Sequence, residues 1–114
     1  MQAIPLGRVT VPTPGTPVMF AAVMSATQLA QVPPSNLVNK IEIWPDPAAV
    51  GKVFAKCQPP GYGGAVTAAA LPVIANGYPV PWSVRSEGSG VDYRQYGLDA
   101  ATANDGAFVT IWVD

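Results

Sequence analysis

Few side chains in this 114-residue chain could do chemistry, and their types limit what that chemistry would be. There is no histidine, so the commonest proton-transfer group near neutral pH and the commonest metal ligand are both missing. Neither a Ser-His-Asp nor a Cys-His arrangement can be assembled. The carboxylates are Glu42, Asp46, Glu87, Asp92, Asp99, Asp105 and Asp114. A pair of carboxylates suits glycoside hydrolysis, but most of these stand beside Pro or Gly in expected turns and read as turn formers and solvated faces. The stretch "DAATANDG" (99–106) offers Asp99, Asn104 and Asp105 as oxygen ligands. A calcium loop needs a denser ligand pattern, so a hairpin turn is the plainer reading. "GYGG" (61–64) has no phosphate-loop lysine after it and reads as a loop tip. Cys57 is the single cysteine, which rules out an intrachain disulfide and fits assembly in a reducing cytoplasm. The inventory points away from an enzyme and implies neither a metal nor a cofactor.

The aromatic side chains are the remaining candidates. Trp44, Trp82, Tyr62, Tyr78, Tyr93 and Tyr96 would suit a stacking platform for sugar, and Trp and Tyr equally mark protein interfaces. Trp112 and Phe108 read as core. Trp44 and Trp82 stand beside prolines at expected strand ends, where core edge, interface anchor and sugar platform are all open readings.

The elements that must position these residues are short. Pro and Gly number 13 and 11, and prolines throughout exclude long helices. "LGRVTV" (6–11) alternates as a first strand, "VPTPGTP" (11–17) is extended or turning, and "VMFAAV" (18–23) reads as a second strand. "SATQLAQ" (25–31) is a helical turn or a loop. "NKIEIWPDPAAVGKVFAK" (39–56) reads as a hairpin. In it Ile41 and Ile43 oppose Lys40, Glu42 and Trp44, while Val53 and Ala55 oppose Lys52, Phe54 and Lys56. "CQPPGYGGAVTAAA" (57–70) is a long loop. "LPVIA", "VPWSV" and "VDYRQYGL" carry strand residues, with turns at "NGYP" and "EGSG". "ANDG" is the strongest turn signal. "AFVTIWV" (107–113) is apolar enough to suggest burial on both faces. Seven or eight strands, with at most one short helical turn near 25–31, predict an all-β fold of sandwich type. Residues 1–36 read as an extended, Pro-rich N-terminal arm with some strand character, and 37–114 as the β-domain.

Composition narrows the partners. Apolar residues make up 49% but charged ones only 11%, well below the quarter or so usual in soluble domains. A surface of Ala, Ser, Thr, Gln, Pro and Gly suits lasting contact with other protein. Net charge is −1 and the six basic residues are scattered, which argues against nucleic acid. The N-terminus lacks the basic and long apolar regions of a signal peptide. The run "VMFAAVM" (18–24) is far too short to span a bilayer, so no membrane partner is expected.

Three segments carry a resemblance. "KIEIWPDPAAVGKVFAK" (40–56), "NGYPVPWSV" (76–84) and "YGLDAATANDGAFVTIWVD" (96–114) resemble a pattern of small tailed-phage virion proteins: "kIxIxxDPxxxGxVyV", a "Gxxvxi" stretch, then "YxLDAxTxxDGxxVxIxY". It covers about residues 40–114; the N-terminal third and the 57–70 loop depart from it. The resemblance implies a small β-sandwich, often a jelly roll, serving as a capsid decoration (cement) protein or a minor head or tail component. The implied localisation is the virion, assembled in the host cytoplasm. The implied partner is the major capsid protein or another virion subunit, with a homodimer or homotrimer on a local symmetry axis. Expected contact residues are Leu6, Val9, Val11 and Pro14 of the arm, with "LGRVTV" adding as a strand to an exposed sheet edge, and Trp44, Tyr62 and Trp82 of the domain. A carbohydrate-binding module using Trp44, Trp82 and Tyr62 is the alternative from another class.

Overall fold

The computed structural model describes residues 2–57, 71–74, 82–85 and 90–114. Their elements are β1 (Gln2–Val11), β2 (Val18–Met19), α1 (Phe20–Val23), α2 (Ala26–Ala30), β3 (Leu37–Val38), β4 (Lys40–Pro45), β5 (Val53–Cys57), β6 (Leu71–Ile74), β7 (Trp82–Arg85), β8 (Val91–Asp92), a 3-10 helix (Tyr93–Gln95), β9 (Tyr96–Ala100) and β10 (Asp105–Val113). They form one sheet in the order β1-β10-β4-β7, a second in the order β2-β9-β5-β6, and a ribbon of β3 with β8. Every pairing is antiparallel. The protein is therefore all-β, with ten described strands rather than seven or eight. Its described helical content is also larger than the single turn expected.

Alternation builds the strands. Ile41 and Ile43 of β4 lie opposite Ile111 and Val109 of β10, and all four are buried. Ile4, Val9 and Val11 of β1 join the same buried cluster, as do Val53, Ala55, Leu98 and Ala100 from the second sheet. The helices have local causes. Ser25 and Gln28 make a reciprocal capping box around the start of α2, the pattern "SATQ" encodes. In "VMFAAV" only Val18 and Met19 pair as a strand. The chain then coils into α1, which buries Phe20 completely.

Residues 39–56 are not a hairpin. β4 pairs with β10 and β7, whereas β5 pairs with β6 and β9. The connection 46–52 passes from one sheet to the other. The connection 101–104 does the same between β9 and β10, and the two run side by side, with Ala101 N–H donating to the Lys52 carbonyl at 2.9 Å. Two alternating strands with a turn between them satisfy a hairpin and a crossing equally well. The choice rests on which strands supply the best-matched apolar faces, and β10 and β9 do so.

The N-terminal segment also departs from an arm. β1 pairs with β10 from Gln2↔Val113 to Val11↔Asp105, with an irregularity between Pro5 and Gly7. The chain then reverses at "TPGT". Thr16 N–H donates to the Thr13 carbonyl at 3.1 Å, and Gly15 has φ of 85°. Pro at the second and Gly at the third position of a turn is the type II arrangement. Gly15 N–H is fastened to Asp99 Oδ1 at 3.0 Å. The prolines read as arm-stiffening thus include one that folds the segment back.

Candidate functional site

Two places in the fold concentrate polar side chains. The first is the end where the connections 12–17, 46–52 and 101–104 pass between sheets. Asp46, Asp99 and Asp105 are buried there, and each carboxylate accepts backbone N–H groups. Asp105 accepts from Val50 at 3.0 and 3.1 Å and from Gly51 at 2.8 Å. Asp99 Oδ1 accepts from Gly15 and, at 2.8 Å, from Ala100. Asp46 accepts from Ala48 N–H at 2.9 Å and from Arg8 Nε at 2.7 Å. The Arg8 guanidinium first, and then the Ala48 N–H, hold the Asp46 carboxyl below its usual range. Arg8 also donates to Thr10 Oγ1 at 2.6 Å and to the Asn104 carbonyl at 3.1 Å. Both oxygens of Asp46 and of Asp105, and Oδ1 of Asp99, are taken up by these hydrogen bonds, which tie the connections together and make this end structural. Asn104, not Asp105 or Gly106, takes the positive φ (66°) of "ANDG".

The second place is the outer face of the β1-β10-β4-β7 sheet. Opposite the core, register sets Trp44 beside Phe108, Glu42 beside Thr110, and Lys40 beside Trp112. On β7, Ser83 stands beside Glu42. Trp44 is 45% and Phe108 42% exposed. Trp44 Nε1 donates to Glu42 Oε1 at 3.0 Å, and Lys40 Nζ lies 3.1 Å from Glu42 Oε2. The same ammonium sits 5.3 Å from the centre of the Trp112 ring, a cation–π contact. The Trp44 N–H and the Lys40 charge hold Glu42 below the usual carboxylate range, against the opposing effect of partial burial. Trp112 Nε1 is buried and, among the described residues, has no partner within hydrogen-bonding geometry, although its N–H is near enough to Glu42 to favour the charged carboxylate. Phe108 and Trp112 are therefore not core residues, and β10 is central in its sheet but buried on one face only.

The expected contact residues scatter. Val9 and Val11 are 3% and 0% exposed; their side chains belong to this chain's own core, and the backbone of "LGRVTV" pairs with β10 instead of a neighbour. Leu6 is half-buried against the core. Pro14 is exposed in its turn. Trp44 is on the outer face. Trp82 pairs with Ile43 through β7. Tyr62, most of the 57–70 loop and the turn 76–79 lie outside the described residues. Lys40, Glu42 and Thr110 were missing from the expected set. Alternation alone put Lys40 and Glu42 beside Trp44, but only the β4–β10 register adds Phe108, Thr110 and Trp112.

Among the described residues no group of three or more Cys, Asp or Glu side chains is placed to hold a metal ion, and no helix is long and apolar enough to cross a membrane. No family model, curated protein or solved structure matches the chain.

Proposed function

We propose that this protein is a structural virion protein, most directly a capsid decoration protein. In this reading its two sheets form a jelly-roll-like sandwich that bridges major capsid subunits as a homodimer or homotrimer. The observation that carries the reading is a surface studded with large apolar side chains while its described ion pairs are internal. Val23 (45%), Leu29 (38%) and Leu37 (40%) are exposed along the segment from α1 to β3. Arg8 pairs with Asp46, Lys40 with Glu42 and Arg94 with Asp92. Such a surface binds by buried area rather than by charge. The virion-like segments support the same reading, because their Asp-Pro, Leu-Asp-Ala and Asp-Gly positions are the carboxylates that hold backbone N–H groups of the connections 12–17 and 46–52.

A protein that binds only the assembled particle stabilises it by mass action. The test is co-sedimentation with undecorated particles at low and high salt. Attachment should change little with salt, because screening acts on exposed charges. Leu29→Glu, on an exposed turn of α2, should weaken it about tenfold, the equivalent of roughly 1.4 kcal/mol. Protein left entirely in the supernatant, or attachment that collapses with salt, would refute the proposal.

A further inference from the structure

We infer that the outer face of the β1-β10-β4-β7 sheet is a binding site for a neutral oligosaccharide, with Trp44 as its stacking surface. This stands apart from the virion reading and rests on other residues.

The first argument is preorganisation. Trp44 is nearly half exposed, yet its ring is held by the Nε1 hydrogen bond to Glu42. Glu42 is held in turn by Lys40, and Lys40 lies over Trp112. An exposed aromatic that has already lost its rotamer freedom binds at a lower entropic cost. The apolar C–H face of a pyranose needs such a flat, fixed surface.

The second argument is the composition of the strip. Beside the Trp44–Phe108 pair come Glu42, Thr110 and the exposed Ser83. A few placed polar groups among aromatic surface is the usual make-up of a small-ligand site. A dry protein patch laid over this strip would strip water from the Lys40–Glu42 pair, and the desolvation of an ion pair can exceed what its attraction returns. Sugar hydroxyls replace that water one hydrogen bond at a time.

The third argument is charge. Lys40 and Glu42 cancel, Arg8, opposite Phe108, is paired with Asp46, and Arg85 of β7 stands in register with Lys40, at the end of the strip away from Trp44. Among the described residues the Trp44–Phe108 end therefore offers no unpaired charge to a phosphate, sulfate or uronate. Trp44 and Lys40 are four positions apart on β4, about 13 Å at 3.3 Å per residue, which suits a short oligosaccharide better than a single ring.

The experiment titrates the purified chain with neutral oligosaccharides (maltotriose, cellotriose, triacetylchitotriose and a galactose-based trisaccharide) and with a sulfated one, read by tryptophan fluorescence and amide chemical shifts. Saturable binding of a neutral member is expected, with shifts confined to β4, β7 and β10. Trp44→Ala should weaken it at least about tenfold, as loss of an aromatic contact implies. Trp44→Phe should retain most of it, and both variants should unfold in urea as the parent does. Trp44→Ala should leave co-sedimentation with particles unchanged. The inference is overturned by no saturable binding to any neutral member, by tighter binding of the sulfated one, by indifference to Trp44→Ala, or by a Trp44 requirement for particle attachment without sugar.

Discussion

Replacing Asp105 by alanine should be among the most damaging single changes to this fold, although Asp105 touches neither candidate surface. Its carboxylate holds two backbone N–H groups of the 46–52 crossing, Val50 at 3.0 and 3.1 Å and Gly51 at 2.8 Å, from a position only 5% exposed. Hydrogen bonds to a charged group contribute roughly 1.5–3 kcal/mol each, and orphaned donors cost a similar amount. The crossing lies near the surface, where water can reach part of it, so the lower end applies and two bonds give about 3 kcal/mol. With an unfolding entropy of about 2.1 cal/mol/K per residue, a chain of this length should lose about 12 °C in Tm. Asp105→Asn keeps one acceptor oxygen and should lose about half of that. The assay is urea unfolding followed by tryptophan fluorescence, with thermal unfolding by circular dichroism. A loss below about 1 kcal/mol for Asp105→Ala, or equal losses for the two variants, would refute the assignment of Asp105 as the fastener of the crossing.

Gly106→Ala should be worse still, because a Cβ there would press on the Val9 carbonyl carbon at 3.0 Å and lie even closer to its oxygen. β1 would have to move off β10, at a cost beyond the roughly 1–3 kcal/mol of ordinary overpacking, and urea unfolding should show it. Asp46 gives a pH signature. Its folded-state pKa is depressed, so its contribution is present above the unfolded value of about 3.9 and is lost as pH falls through the folded one. Tm should hold from neutral pH down to about 5 and fall below about 4; Asp46→Asn, which keeps an acceptor for Ala48, should lower the plateau and shrink the acid fall.

Much was legible in the sequence because it is local. Strand periodicity requires only alternation, and "KIEIW" places Ile41 and Ile43 inward with Lys40, Glu42 and Trp44 outward whatever the partner strand. "SATQ" encodes the cap of α2, and "TPGT" encodes a type II turn, by side-chain and φ preferences that act within four residues. The all-β class follows from these pieces, since short alternating runs between turns can bury their apolar faces only in sheets.

Only the tertiary structure decided which strands pair. The apparent hairpin 39–56 became a crossing between sheets because β10 and β9 meet the apolar faces of β4 and β5, and alternation carries no information about partner identity. The same pairing made β1 part of the sheet and committed Val9 and Val11 to the core. It placed Phe108 and Trp112 outside, gave Asp99 and Asp105 backbone donors that lie far away in sequence, and brought the distant Arg8 guanidinium to Asp46. The outer strip of Trp44, Glu42, Lys40, Thr110 and Trp112 exists only in the register of β4 against β10, a relation between residues some seventy positions apart that local preferences cannot encode.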